Sequence, residues 1–239
     1  MAAAARAEPG RACPLGACDG SGWIVGPEEV ARPCGCREER LRKARQRGVA
    51  SVIPPKYRGV SFERPPVTGI EPMVVRVVRS FTEELDANLD AGRGLWLMGD
   101  TGTGKTTLAM LVSKAALAAG RTVAIYSLPR LLARIRRTYD AEAGEDSYLA
   151  FFDRLTSVDL LHVDDLGAEK RSDWVLEQLY ALVNERYEAQ RSIVVTTNLG
   201  EAALEEQIGP RTVSRLVEIC GDPLPLFGED RRIQVRNPS

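Results

Sequence analysis

The chain has 239 residues, 44% hydrophobic and 27% charged, enough for one sizeable α/β domain with a small appendage. Its formal net charge of −1 excludes a global field for nucleic acid or an anionic membrane, so any such contact must come from a local basic patch. No apolar run reaches the roughly 18 residues of a membrane-spanning helix. The Ala-rich start, Met1 to Ala12, carries Arg6, Glu8 and Arg11 and lacks the apolar core of a secretory signal. A cytoplasmic address without membrane contact is therefore expected. Five cysteines stay reduced there, and a cluster of them reads as metal ligation rather than disulfides.

Residues 1–36 hold four of those five cysteines and little hydrophobic periodicity. Cys13-x4-Cys18, then fifteen residues, then Cys34-x-Cys36 offers four thiolates for tetrahedral Zn²⁺. So short a segment has no core of its own, so the metal would supply its folding energy. Four unrelated cysteines are the alternative. Asp19-Gly20-Ser21-Gly22-Trp23 reads as a tight turn into an apolar strand. Residues 37–47, REERLRKARQR, carry six basic and two acidic side chains and read as a helix, either solvated or touching nucleic acid. The expected division is a module over 1–50 with this basic linker helix, followed by a domain over 51–239.

After a Pro-containing joint, Val52 to Arg58, strands and helices alternate. Leu95-Trp96-Leu97-Met98 is a short apolar run ending in glycine, hence a buried strand. Lys105 to Ala119 places Leu108, Leu111, Val112, Ala115, Ala116 and Ala119 at helical spacing, and Gly120 stops it. Thr122 to Tyr126 is the next strand, Leu128 to Tyr139 a basic helix, and Asp140 to Asp146 an acidic loop. Val158 to Val163 is a third strand, followed by a helix over Ser172 to Ala189 with Leu176, Leu179, Val183 and Tyr187 on one face. Ser192 to Thr196 is a fourth strand. Two short helices follow, at 201–208 and 211–219, the second opened by Pro210. A β pair near 223–235 adds a fifth strand. This order implies an α/β fold whose parallel five-stranded sheet lies between helices.

Chemistry concentrates at three strand ends. Gly99-Asp100-Thr101-Gly102-Thr103-Gly104-Lys105-Thr106, with Thr107 next, fits the phosphate-loop pattern G-x-x-x-x-G-K-[ST]. Glycines let the backbone aim N–H groups at phosphate oxygens beside a helix N-terminus. Lys105 adds a charge for the β- and γ-phosphates of ATP, and the Thr106 hydroxyl can ligate Mg²⁺. A strand before the loop and an amphipathic helix after it separate the pattern from a chance glycine turn. Leu160-Leu161-His162-Val163 delivers Asp164 and Asp165 at a carboxyl edge, where parallel sheets bind ligands. Asp164 would hold Mg²⁺ through water and Asp165 would orient or deprotonate the attacking water, unless the pair only caps the strand. His162 reads as a packed strand residue. Ser192 to Thr197 ends in Asn198, whose amide is placed to hold water or the γ-phosphate.

With these motifs in order, residues 51–239 resemble the AAA+ ATPases of the initiator and helicase-loader branch, nearest to DnaC/DnaI-type loaders and IstB transposition helpers. Ile53 to Arg58, Ser61-Phe62, Asp164 to Gly167, Arg211 to Leu216 and Gly228 to Arg232 carry the likeness. It implies an AAA+ P-loop NTPase core, without a helical C-terminal lid because few residues follow Arg215. It makes Arg215 an arginine finger for a neighbour's γ-phosphate, with Arg211 a weaker candidate and an Arg215–Glu218 ion pair the alternative. It also implies self-association when ATP is bound. The helix over Leu128 to Tyr139 would face single-stranded DNA through Arg134, Arg136 and Arg137, although a solvated face explains those residues as well. Loaders with an N-terminal cysteine cluster look similar, though Cys-x-x-Cys is their more usual first pair. The implied function is ATP hydrolysis coupled to loading a replicative hexameric helicase onto single-stranded DNA, with ATP, Mg²⁺ and structural Zn²⁺ as cofactors and residues 1–50 binding the partner. The alternative is an IstB-like helper of a DNA transposase. A small-molecule P-loop kinase would carry neither the asparagine nor the finger.

Overall fold

Strands buried along nearly their whole length are satisfied only inside a sheet covered on both faces, and the sheet within residues 48–239 is built that way. The structure is a computed structural model and describes residues 13–25, 30–37, 53–139 and 147–230. The chain divides into two compact units, 1–47 and 48–239.

In the smaller unit, β1 (Trp23–Val25) pairs antiparallel with β2 (Ala31–Pro33), Trp23 opposite Pro33. The Asp19 carboxylate accepts from the Ser21 amide at 2.9 Å, which makes the expected tight turn. The Arg37 guanidinium lies 3.8 Å above the Trp23 ring. Residues 38–47, the bulk of the expected basic helix, lie outside the described residues.

The larger unit opens with α1 (Pro72–Glu83) and α2 (Leu85–Asp90). It continues through β3 (Leu95–Gly99), α3 (Lys105–Ala118), β4 (Val123–Ser127), α4 (Leu128–Tyr139) and α5 (Tyr148–Ser157). Then come β5 (Leu160–Asp164), α6 (Asp173–Glu188), β6 (Ser192–Thr197), α7 (Glu201–Ile208), α8 (Pro210–Cys220) and β7 (Leu224–Leu226). The sheet order is β4-β5-β6-β3-β7, and every pairing is parallel. The period of two along each strand feeds two cores. Leu95, Leu97, Val123, Ile125 and Val194 pack on the α1–α3 side. Trp96, Ala124, Leu161, Val163, Ile193 and Val195 pack on the α4–α8 side.

The structure departs from the expected elements in particular places. α1, for which no element was expected, starts where Glu71 accepts from the Met73 amide at 3.4 Å and Pro72 takes the first position. α5 starts where the Ser147 hydroxyl accepts from the Ala150 amide. In place of a closing β pair, the described residues contain β7 alone, parallel to β3. Residues 231–239 and the acidic segment 140–146 lie outside the described residues.

The buried face of α6 is Val175, Gln178, Leu179, Leu182, Val183 and Arg186; it includes the expected Leu179 and Val183, while Leu176 and Tyr187 are only partly buried. Arg186 turns the helix. It is fully buried, and its guanidinium donates to the carbonyls of Leu155, Thr156, Asp159 and Ser192 at 2.6–3.4 Å. No described helix is long and apolar enough to cross a membrane.

Candidate nucleotide site

The loop between β3 and α3 is shaped by glycines that no other residue can replace. Gly99 has φ of 141°, and a Cβ there would overlap the Leu226 carbonyl oxygen on β7. Gly104 has φ of 106° and is covered by the Ile70 side chain, which a Cβ would strike. Lys105, only 5% exposed, donates through Nζ to the Gly99 carbonyl at 2.9 Å and the Asp100 carbonyl at 2.6 Å. Its ammonium therefore sits at the centre of the loop it closes. The Thr103 hydroxyl donates to the Asp100 carbonyl at 2.8 Å, which tightens the same turn.

A cavity of about 560 Å³ opens over this loop. Thr101, Gly102, Gly104, Lys105, Thr106 and Thr107 line it together with Asp165 and Asn198, so residues drawn from three strand ends meet in one space. Gly99, Asp100 and Thr103 build the loop without lining the cavity. Asp164 stands beside it, its carboxylate accepting from the Thr196 hydroxyl at 2.7 Å. The same hydroxyl accepts from the Asp165 amide at 3.0 Å. Asp165 adopts φ of 57°, a left-handed conformation that Asp tolerates better than most residues and that aims the chain at the cavity. The Thr197 hydroxyl donates to the Leu166 carbonyl at 2.7 Å and accepts from the Leu199 amide at 3.1 Å, which fixes the turn presenting Asn198. His162 is fully buried against the Ser113 hydroxyl at 2.9 Å, and burial holds its imidazole down at about 4, neutral and structural.

The opposite wall comes from residues not singled out as site residues: Lys56, Tyr57, Pro66 and Ile70. The Lys56 ammonium lies 4.5 Å from the Tyr57 ring centroid. Lys114 on α3 seats this segment by donating to the carbonyls of Arg58 and Val60 at 2.9 and 2.5 Å. Apolar, aromatic and cationic groups beside a phosphate loop suit the flat ring and ribose of a nucleotide. In the sequence, Ile53 to Arg58 stood out only as a segment carrying the family likeness, with no site role.

The segment after β7 also reaches the loop. The Gly228 amide donates to the Asp100 carboxylate at 3.1 Å, and the Asp230 carboxylate occupies the position a Cβ on Gly102 would take. A carboxylate there repels incoming phosphate. Asp230→Asn is expected to tighten Mg·ATP binding roughly fivefold, the effect of about 1 kcal/mol of like-charge repulsion at a partly buried site. Titration with a fluorescent ATP analogue reads this directly, and unchanged or weaker binding contradicts it.

Other expected site residues lie away from the cavity lining. Arg215 on α8 pairs with Glu218 at 2.8 Å and lies 4.2 Å above the Tyr187 ring. On α4, Arg134 lies 5.6 Å from the Phe151 ring and Arg136 4.6 Å from the Trp174 ring, while Arg137 is exposed. Tyr139 stacks on Tyr148 at 5.0 Å, so an arginine and aromatic surface sits at the end of this helix.

In the smaller unit, the Sγ atoms of Cys13, Cys18, Cys34 and Cys36 all lie within 4.8 Å of one another. Cys13–Cys34 and Cys18–Cys36 are 3.8 and 3.5 Å apart. Tetrahedral zinc, with bonds of about 2.3 Å, separates its sulfurs by about 3.8 Å, so the four thiols fit that ion. Metal analysis of the purified chain is expected to give about one zinc per chain, falling by more than half in Cys36→Ser. Equal content in the two proteins would remove the assignment.

Comparison with known proteins gives the family. The family model described as IstB-like ATP binding protein matches residues 67–216. The replicative helicase loader DnaC of Escherichia coli (strain K12) is 25% identical over 181 residues, covering 75% of this chain and 72% of DnaC. The phage-like element PBSX protein XkdC of Bacillus subtilis (strain 168) is 26% identical over 224 residues, covering 87% of this chain and 80% of XkdC. The crystal structure of the DnaC helicase loader matches with a TM-score of 0.62 at 25% identity, across 74% of this chain and 100% of that one.

Proposed function

We propose a function from one premise: the chain belongs to the IstB-like ATP-binding protein family. It is an ATPase of the AAA+ fold that loads a replicative hexameric helicase onto single-stranded DNA, in the cytoplasm. The observation that carries this reading is the single cavity in which the phosphate loop, Asp165 and Asn198 converge. Its likeness to a replicative helicase loader supports the choice of partner.

Bound Mg·ATP supplies the phosphoanhydride to be cleaved, and the protein's residues position and polarise it. The loop amides and the Lys105 ammonium hold the phosphates. Thr106 and Asp164 are the oxygen ligands suited to Mg²⁺. Asp165 orients and deprotonates water, and the Asn198 amide holds it in line. Arg215 acts on the neighbouring subunit's site, so turnover requires self-association in the ATP-bound state. Arg134, Arg136 and Arg137 track the DNA backbone beside Tyr139. Residues 1–50, folded around Zn²⁺, grip the helicase, and residues 51–239 form the ATPase domain.

The decisive experiment is a pull-down with the replicative helicase of the same host, with and without ATP, followed by helicase transfer onto single-stranded DNA. ATP-dependent capture and transfer are expected. The resemblance to IstB transposition helpers gives one second reading, an ATPase helper of a DNA transposase. Capture of a transposase and not of the helicase would select it.

A further inference from the structure

Arg215 is held more firmly than a surface arginine usually is. It projects from the middle of α8, and its side chain is one-third exposed at 34%. Its NH1 donates to Glu218 Oε1 at 2.8 Å. The other Glu218 oxygen accepts from the Tyr187 hydroxyl at 2.6 Å, and the Tyr187 ring lies 4.2 Å beneath the guanidinium carbon. Tyr187 belongs to the last turn of α6, so two helices close a three-membered cycle around one cation. An exposed i,i+3 ion pair alone orders a guanidinium weakly. Adding a ring beneath it and a second bond to the carboxylate fixes both the plane and the direction of the fork. Only the NH1 edge is spent on Glu218, and a guanidinium carries five N–H donors, so others stay available for a phosphoryl oxygen.

The geometry points to Tyr187 and Glu218 as positioning residues for Arg215, holding the finger in its working orientation before a neighbouring subunit arrives. The inference rests on the reading of Arg215 as a finger acting in trans. The entropy of ordering a long side chain is then lost on folding instead of at the transition state. The cost of losing this device falls on kcat, because the finger meets the transferring phosphoryl group of another subunit and leaves ground-state ATP binding alone.

The test uses the full chain, at concentrations where turnover per subunit has stopped rising. Glu218→Ala and Tyr187→Phe are each expected to lower kcat about three- to tenfold with KM for ATP changed less than about twofold. Tyr187→Phe keeps the ring and loses only the bond to Glu218, so its loss should be the smaller. In an Arg215→Ala background neither change should lower the residual rate further. Thermal melting separates positioning from mere stapling of α6 to α8. A loss of activity that follows a fall in Tm, or that persists in the Arg215→Ala background, overturns the inference. If Arg215→Ala loses turnover while Glu218→Ala and Tyr187→Phe keep it, positioning is overturned and the finger stands. If Arg215→Ala itself keeps full turnover, both are overturned.

Discussion

Replacing Lys105 by alanine is expected to weaken Mg·ATP binding by roughly 100-fold or more, two charge-assisted hydrogen bonds of about 1.5–3 kcal/mol each being lost. The size of the effect follows from where the ammonium lies. Lys105 is nearly buried and reaches the carbonyls of both Gly99 and Asp100 from the first turn of α3. Its loss therefore removes the one cation lining the loop side of the cavity among the described residues and unclips the turn that aims the loop amides. Calorimetry with Mg·ATP measures it, and wild-type affinity in Lys105→Ala would refute nucleotide binding at this loop. The fold should survive, since both cores are complete without this side chain.

Arg215→Ala should behave in the opposite way. Arg215 does not line the cavity of its own subunit, so ATP affinity is expected to stay within about twofold, while turnover falls on the order of 1,000-fold, the usual cost of losing an arginine finger. Mixing tests the trans geometry. A Lys105→Ala subunit lacks its own ATP but keeps its finger, and an Arg215→Ala subunit has ATP but no finger. Turnover should reappear when the two inactive proteins are combined. Mixtures that stay inactive would overturn the trans geometry.

Glycine spacing, a lysine and a hydroxyl after it, and polar residues at the ends of apolar strands are local patterns. Each follows from what one short segment must do to present backbone amides or carboxylates at a sheet edge. The loop at Gly99 to Thr106, the pair Asp164-Asp165 and Asn198 were legible for that reason, and parallel strand topology brings them to one edge. The four cysteines were legible as a cluster because two close pairs lie within one short segment, and the fold brings their four sulfurs within 4.8 Å of one another. α1 was not read from the sequence, where four valines in one stretch weaken a helix by propensity. A proline start, a glutamate cap and burial of Val74, Val78 and Phe81 override that propensity. The buried face of α6 was read only in part, through Leu179 and Val183, because apolar counting has no place for a buried Arg186 bonded to four carbonyls.

By itself, then, the sequence determined the order of the strands that carry the site, the phosphate loop and the kinds of residue facing it. Only the tertiary structure decided that Lys56, Tyr57, Pro66 and Ile70 wall the cavity, that β7 lies beside β3 with Asp230 over Gly102, and that Tyr187 reaches Arg215. The physical reason is separation along the chain. Gly228 bonds Asp100 from 128 residues away, and no local periodicity encodes a contact whose partners meet only after both cores have packed.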